Sequence, residues 1–327
     1  MDIVTGATGL LGNVLVRELV SRGRDVKVFV RKTSDTVCFN DCEVEKLYGD
    51  VLDLDSLIRA FKDAENVYHL ASEISIMPGP NKNLREVNLT GAKNVIKACF
   101  HSGIKRLIYT SSIHAFKEVE NVSTIDESQP FDPFSPMGEY NRTKAMASLA
   151  VKEAVREGLD AVIVCPTGVM GPYDFKISNM GSLFIEYCNK RQKIIIDGAY
   201  DFVDVRDVAV GHILAAEKGE TGETYILSGQ RLTIAELMSI LEDLTGIPAP
   251  KYKLPLWLAY AVAFITPVYY KLSRSKPVFT IYSIKTVRSN SFISHRKASE
   301  ELGFSPRPIR ETIEDNIKWF KENNYIS

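Results

Sequence analysis

Short apolar runs alternate with longer amphipathic segments along the first two thirds of the chain. Apolar runs bounded by glycine or polar residues predict strands, and apolar residues repeated every three or four positions predict helices. The predicted strands cover residues 2–5, 26–30, 48–51, 66–70, 106–110, 160–165, 193–197 and 223–227. The predicted helices cover residues 11–23, 53–64, 84–102, 140–158, 180–191, 233–244 and 309–322, with a strand-like piece leading into another helix over 201–217.

The regular alternation of strand and helix predicts an α/β fold with a doubly wound parallel sheet, covered by helices on both faces. The pattern loosens after residue 170, and past Pro248 the chain is rich in proline and aromatic residues. We therefore predict a first domain from residues 1–169 and 201–228. Residues 170–200 and 229–327 are expected to form a smaller, partly discontinuous C-terminal lobe.

Three glycines follow the first predicted strand at a spacing of three residues. Gly6, Gly9 and Gly12 stand between that strand and the first helix. This context is typical of a Rossmann dinucleotide site, where the glycines allow a tight turn, close approach of a pyrophosphate and close helix packing. The amino terminus of the helix would supply unpaired N–H groups for the phosphates. An ordinary strand-to-helix turn is the alternative.

Composition narrows the classes of partner. The 327 residues include 40 basic and 41 acidic side chains, for a net charge of −1, which gives no reason to expect nucleic acid. Five cysteines without zinc spacing suit a reducing compartment and predict no metal site. The chain opens directly on its first strand, so we expect no signal peptide and a cytoplasmic location.

One segment is unusually apolar. Residues 255–270 are shorter than the roughly 20 residues of a membrane-spanning helix, and Pro267 is expected to interrupt them. A buried or pocket-covering helix is the favoured interpretation. Contact with a membrane surface, or an apolar substrate beneath the segment, is the alternative.

The residues after the second strand bear on the choice of cofactor. NAD sites usually place an acidic side chain there for the ribose 2′-hydroxyl, whereas an arginine suits a 2′-phosphate. This chain has Arg31 and Lys32, with Asp35 four residues past the strand end. NADP is therefore favoured over NAD, with a solvated loop arginine as the alternative.

Hydroxyl and amine side chains follow the fifth strand and open the next long helix. Ser111 and Ser112 end the strand, and alternation allows only one of them to face a ligand. Tyr140 and Lys144 are four residues apart, so they share one helix face. Such a pair is by itself a weak signal. Asn88, on the preceding helix, would by itself indicate a surface or local backbone contact.

Taken together, these motifs resemble the extended short-chain dehydrogenase/reductases. The resemblance covers nearly the whole chain and is carried by TGATGLLG, GDVLDLDSL, VYHLAS, TSS, YNRTK, PTGVMGP and DFVDVRDVA. Within this family, the chain resembles above all the dihydroflavonol-reductase-like and 3β-hydroxysteroid-dehydrogenase-like branch.

The resemblance implies roles for individual residues. Tyr140 matches the catalytic tyrosine, Lys144 its partner, Ser112 the hydroxyl beside the substrate oxygen, and Asn88 the family asparagine on the neighbouring helix. Ser112, His114 and Tyr200 would contact the substrate. The cofactor would contact Gly6, Thr8, Gly9, Leu10, Leu11, Gly12, Arg31, Asp50, Val51, Leu70, Ala71, Ser72, Thr110, Tyr140, Lys144, Pro166 and Val169. Lys144 and an oxidised nicotinamide are expected to lower the pKa of the Tyr140 phenol.

The implied reaction is hydride transfer between a nicotinamide and a carbonyl or secondary alcohol of a small, fairly apolar substrate. A nucleotide-sugar epimerase or dehydratase is the alternative, but that group usually has an arginine for the diphosphate where this chain has Tyr200. A non-catalytic NADP-sensing protein is a third reading, against which the joint presence of Ser112, Tyr140 and Lys144 argues. We also expect a homodimer, formed by the helices over 84–102 and 138–157.

Overall fold

The computed structural model describes residues 1–75, 77, 79, 81–119, 123–273 and 280–326, with the backbone alone for 267–273. The strands in this part of the chain are β1 (Asp2–Thr5), β2 (Val26–Val30), β3 (Glu45–Tyr48), β4 (Asn66–His69), β5 (Arg106–Thr110), β6 (Ala161–Pro166), β7 (Gly168–Met170), β8 (Ile194–Ile195), β9 (Ala199–Asp204), β10 (Thr224–Leu227), β11 (Gln230–Thr233) and β12 (Tyr252–Lys253).

Seven parallel strands form the central sheet, in the order β10-β6-β5-β4-β1-β2-β3. The predicted doubly wound α/β fold is confirmed. Strands such as β6 are buried along their whole length, as expected of a parallel sheet covered on both faces. The strand order reverses at β1, between β2 and β4, and this reversal opens a crevice at the carboxyl edge of the sheet.

The helices pack on the sheet and on the smaller lobe. They are α1 (Leu10–Ser21), α2 (Leu54–Phe61), α3 (Lys82–Arg85), α4 (Ala92–Ser102), α5 (Glu139–Arg156), α6 (Asn179–Cys188), α7 (Val205–Lys218), α8 (Ile234–Thr245), α9 (Leu256–Ser273), α10 (Ile281–Arg288) and α11 (Ile309–Glu322). A wide π-helical turn, Glu86–Gly91, joins α3 to α4.

Two apolar layers enclose the central sheet. On one face α1 and α7 bury side chains that include Leu15 and Ile213. On the other face α2, α4 and α5 bury side chains that include Phe61, Val95 and Val151. The apolar stripe of each amphipathic helix therefore lies against the sheet, which holds the strand ends in place.

A third core lies in the smaller lobe, where α6, α8 and α11 pack around Phe184, Leu237 and Phe320. A second sheet, in the order β11-β9-β7, lies beside it. Strand β10 belongs to the central sheet, and helix α7 packs on one face of that sheet. Strand β9, just before α7 in the chain, instead pairs with β7 and β11. The chain thus crosses between the two parts several times.

Several local predictions differ from the structure. The third strand was predicted over 48–51, but β3 ends at Tyr48 because Gly49 packs directly against the Phe29 ring and the chain turns there. The helix predicted over 84–102 begins earlier, at Lys82, after the Asn81 cap, and it contains the wide turn. Strands β7, β11 and β12 are too short to show a period and were not predicted.

The apolar segment also differs from its prediction. Helix α9 runs from Leu256 to Ser273, so Pro267 does not interrupt it. An interior proline removes one intrahelical hydrogen bond and crowds the preceding turn, but α9 is continuous through this position. In the part of the chain that the structure describes, no helix combines the length and apolar character needed to cross a membrane.

Candidate active site

The crevice at the carboxyl edge widens into a cavity of about 970 Å³. Its walls come from the loops after the central strands and from helices α6 and α10. Nearly all the predicted site residues line it, and these are Gly6, Thr8, Gly9, Leu10, Leu11, Gly12, Arg31, Asp50, Val51, Leu70, Ala71, Ser72, Thr110, Ser112, His114, Tyr140, Lys144, Pro166, Val169 and Tyr200. Asn88 is the exception.

The glycine-rich turn is packed too closely for side chains at two positions. Gly6 has a left-handed φ of +69°, and a Cβ there would lie 2.5 Å from the backbone nitrogen of Ala71. A Cβ on Gly12 would lie 2.3 Å from the carbonyl oxygen of Gly6. Gly6 therefore permits the turn and Gly12 permits the close approach of α1, as the glycine spacing predicted.

Helix α1 begins at this turn without a side-chain cap. Its N-cap is Gly9, which has no side chain to accept from the first-turn amides. Those amides, together with the positive end of the helix, suit an anion in the cavity lined by Leu10 and Leu11. The turn therefore fits a dinucleotide pyrophosphate.

Two cations line the cavity near this turn. Arg31 follows β2 and is exposed, and the Nζ of Lys176 donates to the Oγ1 of Thr8 over 2.7 Å. Burial lowers the pKa of Lys176, and the positive charge of Arg31 lowers it further. Lys176 was not predicted, because it lies far along the chain in the segment after β7.

Tyr140 and Lys144 stand one turn apart on α5, and both are buried. The Nζ of Lys144 donates to the backbone oxygen of Thr110 at the end of β5 over 2.9 Å. This bond ties the helix to the strand end that carries Ser112. Three of the four residues that the resemblance assigns to the catalytic site, Ser112, Tyr140 and Lys144, are therefore brought to one wall of the cavity.

Burial dominates the ionisation of this pair. It raises the pKa of Tyr140 to about 12, although a hydrogen bond with Ser112 acts in the opposite direction. It lowers the pKa of Lys144 to about 8. The expected lowering of the phenol pKa by Lys144 together with an oxidised nicotinamide stays a prediction, because in the protein alone burial has the largest effect on this pKa and raises it.

The two serines after β5 have different partners. The Oγ of Ser111 lies 2.6 Å from the Oγ of Ser148 on α5. The hydroxyl of Ser112 hydrogen-bonds with Tyr140 and also accepts from the backbone N–H of His114 over 3.2 Å. Ser112 is thus the hydroxyl paired with the phenol, as the strand alternation and the resemblance imply.

Asn88 lies behind the cavity wall, in the wide turn before α4. Its Oδ1 accepts from the backbone N–H of Glu73 over 2.7 Å, and its Nδ2 donates to the backbone oxygen of Glu73 over 2.9 Å and to the Oγ1 of Thr143 over 3.3 Å. The resemblance placed it with the catalytic residues. In the structure its side chain links the loop after β4 to α5, and it does not line the cavity.

Aromatic rings form the end of the cavity next to Tyr140. The hydroxyl of Tyr200 lies 2.7 Å from the Nε2 of His114, and their rings stack with centroids 5.9 Å apart. Burial lowers the pKa of His114 to about 4, so the imidazole is neutral near pH 7. Tyr282 of α10 lies beside His114, with ring centroids 6.1 Å apart, and its hydroxyl donates to the Oδ1 of Asn141.

Sequence reasoning missed the wall that α6 and α10 contribute. The unpredicted apolar and aromatic lining residues include Met180 and Leu183 of α6, Tyr282 and Val287 of α10, and also Phe202 of β9 and Ile234 of α8. They come from the irregular last part of the chain and from a short helix with no motif. A period of 3.6 residues predicts α6, but not which of its side chains face a cavity.

The fold and this site define a nicotinamide-dependent enzyme of the extended short-chain type. Residues 3–228 match the NAD dependent epimerase/dehydratase family, and the chain belongs to that family. The resemblance inferred from the motifs is confirmed.

Named relatives refine this placement. The chain is 35% identical to sterol demethylase protein B of Methylococcus capsulatus, with 99% of each chain covered. It is 30% identical to a putative dihydroflavonol 4-reductase of Synechocystis, covering 99% of this chain and 95% of that protein. The crystal structure of gox2253 superposes with a TM-score of 0.88 at 30% identity and covers 100% of this chain and 99% of that one. The protein is thus an oxidoreductase of this family.

Proposed function

We propose that the protein transfers hydride between NADP(H) and a carbonyl or secondary alcohol of a small, fairly apolar substrate. The observation that carries this proposal is the position of Ser112, Tyr140 and Lys144. They line one cavity, at the end whose other walls are aromatic and aliphatic. The sterol in the name of one relative is consistent with such a substrate.

The side chains support a simple proton path. The bound nicotinamide supplies or accepts the hydride at the substrate carbon. During reduction, Tyr140 gives its phenolic proton to the substrate oxygen, and Ser112 donates a hydrogen bond to the same oxygen. During oxidation, Tyr140 takes the proton back. Lys144, held by the Thr110 carbonyl, keeps further N–H donors for a cofactor ribose.

The epimerase alternative requires a cation for a sugar diphosphate. Among the described residues that line the cavity, the cations are Arg31, Lys144 and Lys176. Arg31 and Lys176 lie near the glycine-rich turn, and Lys144 is beside Tyr140. Tyr200, at the position of the family arginine, is hydrogen-bonded to a neutral His114. A sugar diphosphate bound beside Tyr200 would lose its hydration without gaining a cation there in exchange.

A substrate panel separates the two reactions. The protein is incubated with NADPH or NADP and with aldehydes, ketones and sterols, beside UDP- and dTDP-sugars. We expect a net change of nicotinamide absorbance with an apolar carbonyl or alcohol and none with the sugars. Interconversion of sugars with the cofactor returned unchanged would contradict the reductase proposal.

The cofactor proposal rests on the cations near the glycine-rich turn. Arg31 and Lys176 repel one another, and a dianionic 2′-phosphate between them would relieve that repulsion. No acidic residue directly ends β2, where NAD sites usually place one. The family model carries NAD in its description, and the preference for NADP is proposed for this chain from its own residues Arg31 and Lys176.

Calorimetric titration should show tighter binding of NADPH than of NADH. Arg31→Ala should weaken NADPH binding by about 1–3 kcal/mol, the value of a charge-assisted contact, and leave NADH binding nearly unchanged. Lys176→Ala also removes the bond to Thr8 of the glycine-rich turn, so it should weaken the binding of both cofactors, and that of NADPH more. Lys105→Ala, which removes an exposed lysine outside the cavity, is the matched control. Equal affinity of the wild type for both cofactors would refute the preference.

We also propose a homodimer through the helical segment over 84–102 and helix α5. The support is local, since Phe100 and Leu149 on these elements are each 42% exposed. Large apolar side chains on adjacent helix faces suit a two-fold contact.

A further inference from the structure

Helix α9 exposes most of the apolar side chains that the structure describes on it. Ala259 and Ala263, four residues apart, are fully buried against Ile284 of α10. In contrast, Trp257, Phe264 and Ile265 are 73%, 76% and 66% exposed. The described residues of α9 do not line the cavity. The favoured expectation of a buried or pocket-covering helix is therefore wrong.

Two further exposed apolar side chains lie on a strand pair, of which one strand is next to the helix in sequence. Strand β12 leads into α9 and pairs with β8, and these strands expose Tyr252 and Ile194. We call Ile194, Tyr252, Trp257, Tyr260, Phe264 and Ile265 the α9 surface. Aromatic and aliphatic side chains grouped in this way are unusual on a protein that stays in water.

Exposed cations lie close to this surface in the sequence. Five exposed basic residues lie in the segments that carry β8 and β12, and they are Lys190, Arg191, Lys193, Lys251 and Lys253. Lys253 pairs with Asp197 over 2.8 Å, which leaves a net positive charge on the group. Tryptophan and tyrosine bordered by lysine and arginine match the chemistry of an anionic bilayer, with rings at the headgroup level and cations on phosphates.

We propose that the α9 surface docks on an anionic phospholipid membrane, with the helix lying along the interface. A second copy of the chain fits less well, because a two-fold contact through this surface would bring the same cations against each other. Helix α9 does not span the bilayer in this arrangement, in agreement with its length and apolar character.

Docking has a consequence for the site. Helix α10 packs on α9 and contributes Tyr282, Thr286 and Val287 to the cavity wall. A membrane beneath α9 would therefore lie close to the substrate end of the cavity, and an apolar substrate could pass between them. This consequence rests on the proposed function, whereas membrane binding does not.

Vesicle flotation tests the docking directly. The full chain is mixed with phosphatidylcholine vesicles or with vesicles that also contain phosphatidylglycerol, without cofactor or substrate. We expect binding to the anionic vesicles that weakens with added salt. The double variant Trp257→Ser with Phe264→Ser should bind the anionic vesicles at least roughly tenfold more weakly than the wild type, given the apolar area it removes. Phe134→Ser, which changes an 85% exposed aromatic outside the surface, should bind like the wild type.

The outcomes are distinct. Failure of the wild type to float, or equal binding by the double variant, would overturn the proposal and leave the reductase proposal untouched. Sedimentation of the same variants detects a protein partner instead. If the double variant forms smaller assemblies than the wild type and neither floats, a second copy covers the surface and the membrane proposal is wrong. Lack of turnover with any carbonyl substrate would leave the docking result standing.

Discussion

Tyr140→Phe is expected to lower the turnover rate by about 10²–10⁴-fold, the usual contribution of a positioned general acid or base to the rate. The substitution keeps the ring that lies beside His114, with centroids 6.2 Å apart, and deletes the hydroxyl that is hydrogen-bonded to Ser112. The variant therefore lacks the proton donor of the proposed mechanism. Single-turnover absorbance with a verified substrate measures the loss.

Cofactor affinity distinguishes a lost proton donor from a damaged site. Tyr140→Phe should bind NADPH nearly as the wild type does, because the glycine-rich turn and the Lys144–Thr110 bond are unchanged. Lys144→Met should weaken both binding and turnover, since it removes that bond and the donors for the ribose. A wild-type rate in Tyr140→Phe would show that another group supplies the proton.

Gly12→Ala is expected to abolish useful cofactor binding. Alanine in a helix is ordinarily favoured over glycine by up to about 1 kcal/mol. Here its Cβ would lie 2.3 Å from the Gly6 carbonyl oxygen, a backbone atom that cannot move away cheaply. Overpacking of this kind costs about 1–3 kcal/mol of stability. It also shifts α1 away from the phosphate, and two lost amide contacts at about 1.5 kcal/mol each amount to roughly a hundredfold in affinity.

A glycine in open space provides the control for this substitution. Gly23 has a left-handed φ of +72° and nothing within 4 Å of a Cβ placed on it. Gly23→Ala should therefore cost about 1 kcal/mol of stability and leave cofactor binding unchanged. Thermal unfolding and NADPH titration of both variants test the contrast. Normal NADPH affinity in Gly12→Ala would mean that the turn can relax.

Part of the site follows from local sequence. The spacing of Gly6, Gly9 and Gly12 between a strand and a helix predicts the turn, because close backbone approach excludes side chains there. The four-residue spacing of Tyr140 and Lys144 predicts their common helix face, which the structure shows. Thr233 and Glu236 form a capping box at the start of α8, and their three-residue spacing is typical of one. Each of these is decided within one or two helical turns.

The contacts of Asn88 and Lys176 could not be predicted from local sequence. Asn88 matches a family position, but only the packing of α5 on the loop after β4 shows that its amide bonds Glu73 and Thr143 behind the wall. Lys176 lies in a segment without a motif, and its contact with Thr8 depends on how the smaller lobe meets the glycine-rich turn.

The sequence by itself determined the order and type of the main elements and the parallel sheet, since apolar periodicity and glycine spacing act over short stretches of chain. The family followed from the resemblance of its motifs. Only the tertiary structure decided which side chains of the last third face the cavity and which face outward. The apolar period of α9 is the same whether the helix is buried or exposed. Its surroundings are set by segments distant in sequence, and these leave Trp257 and Phe264 uncovered.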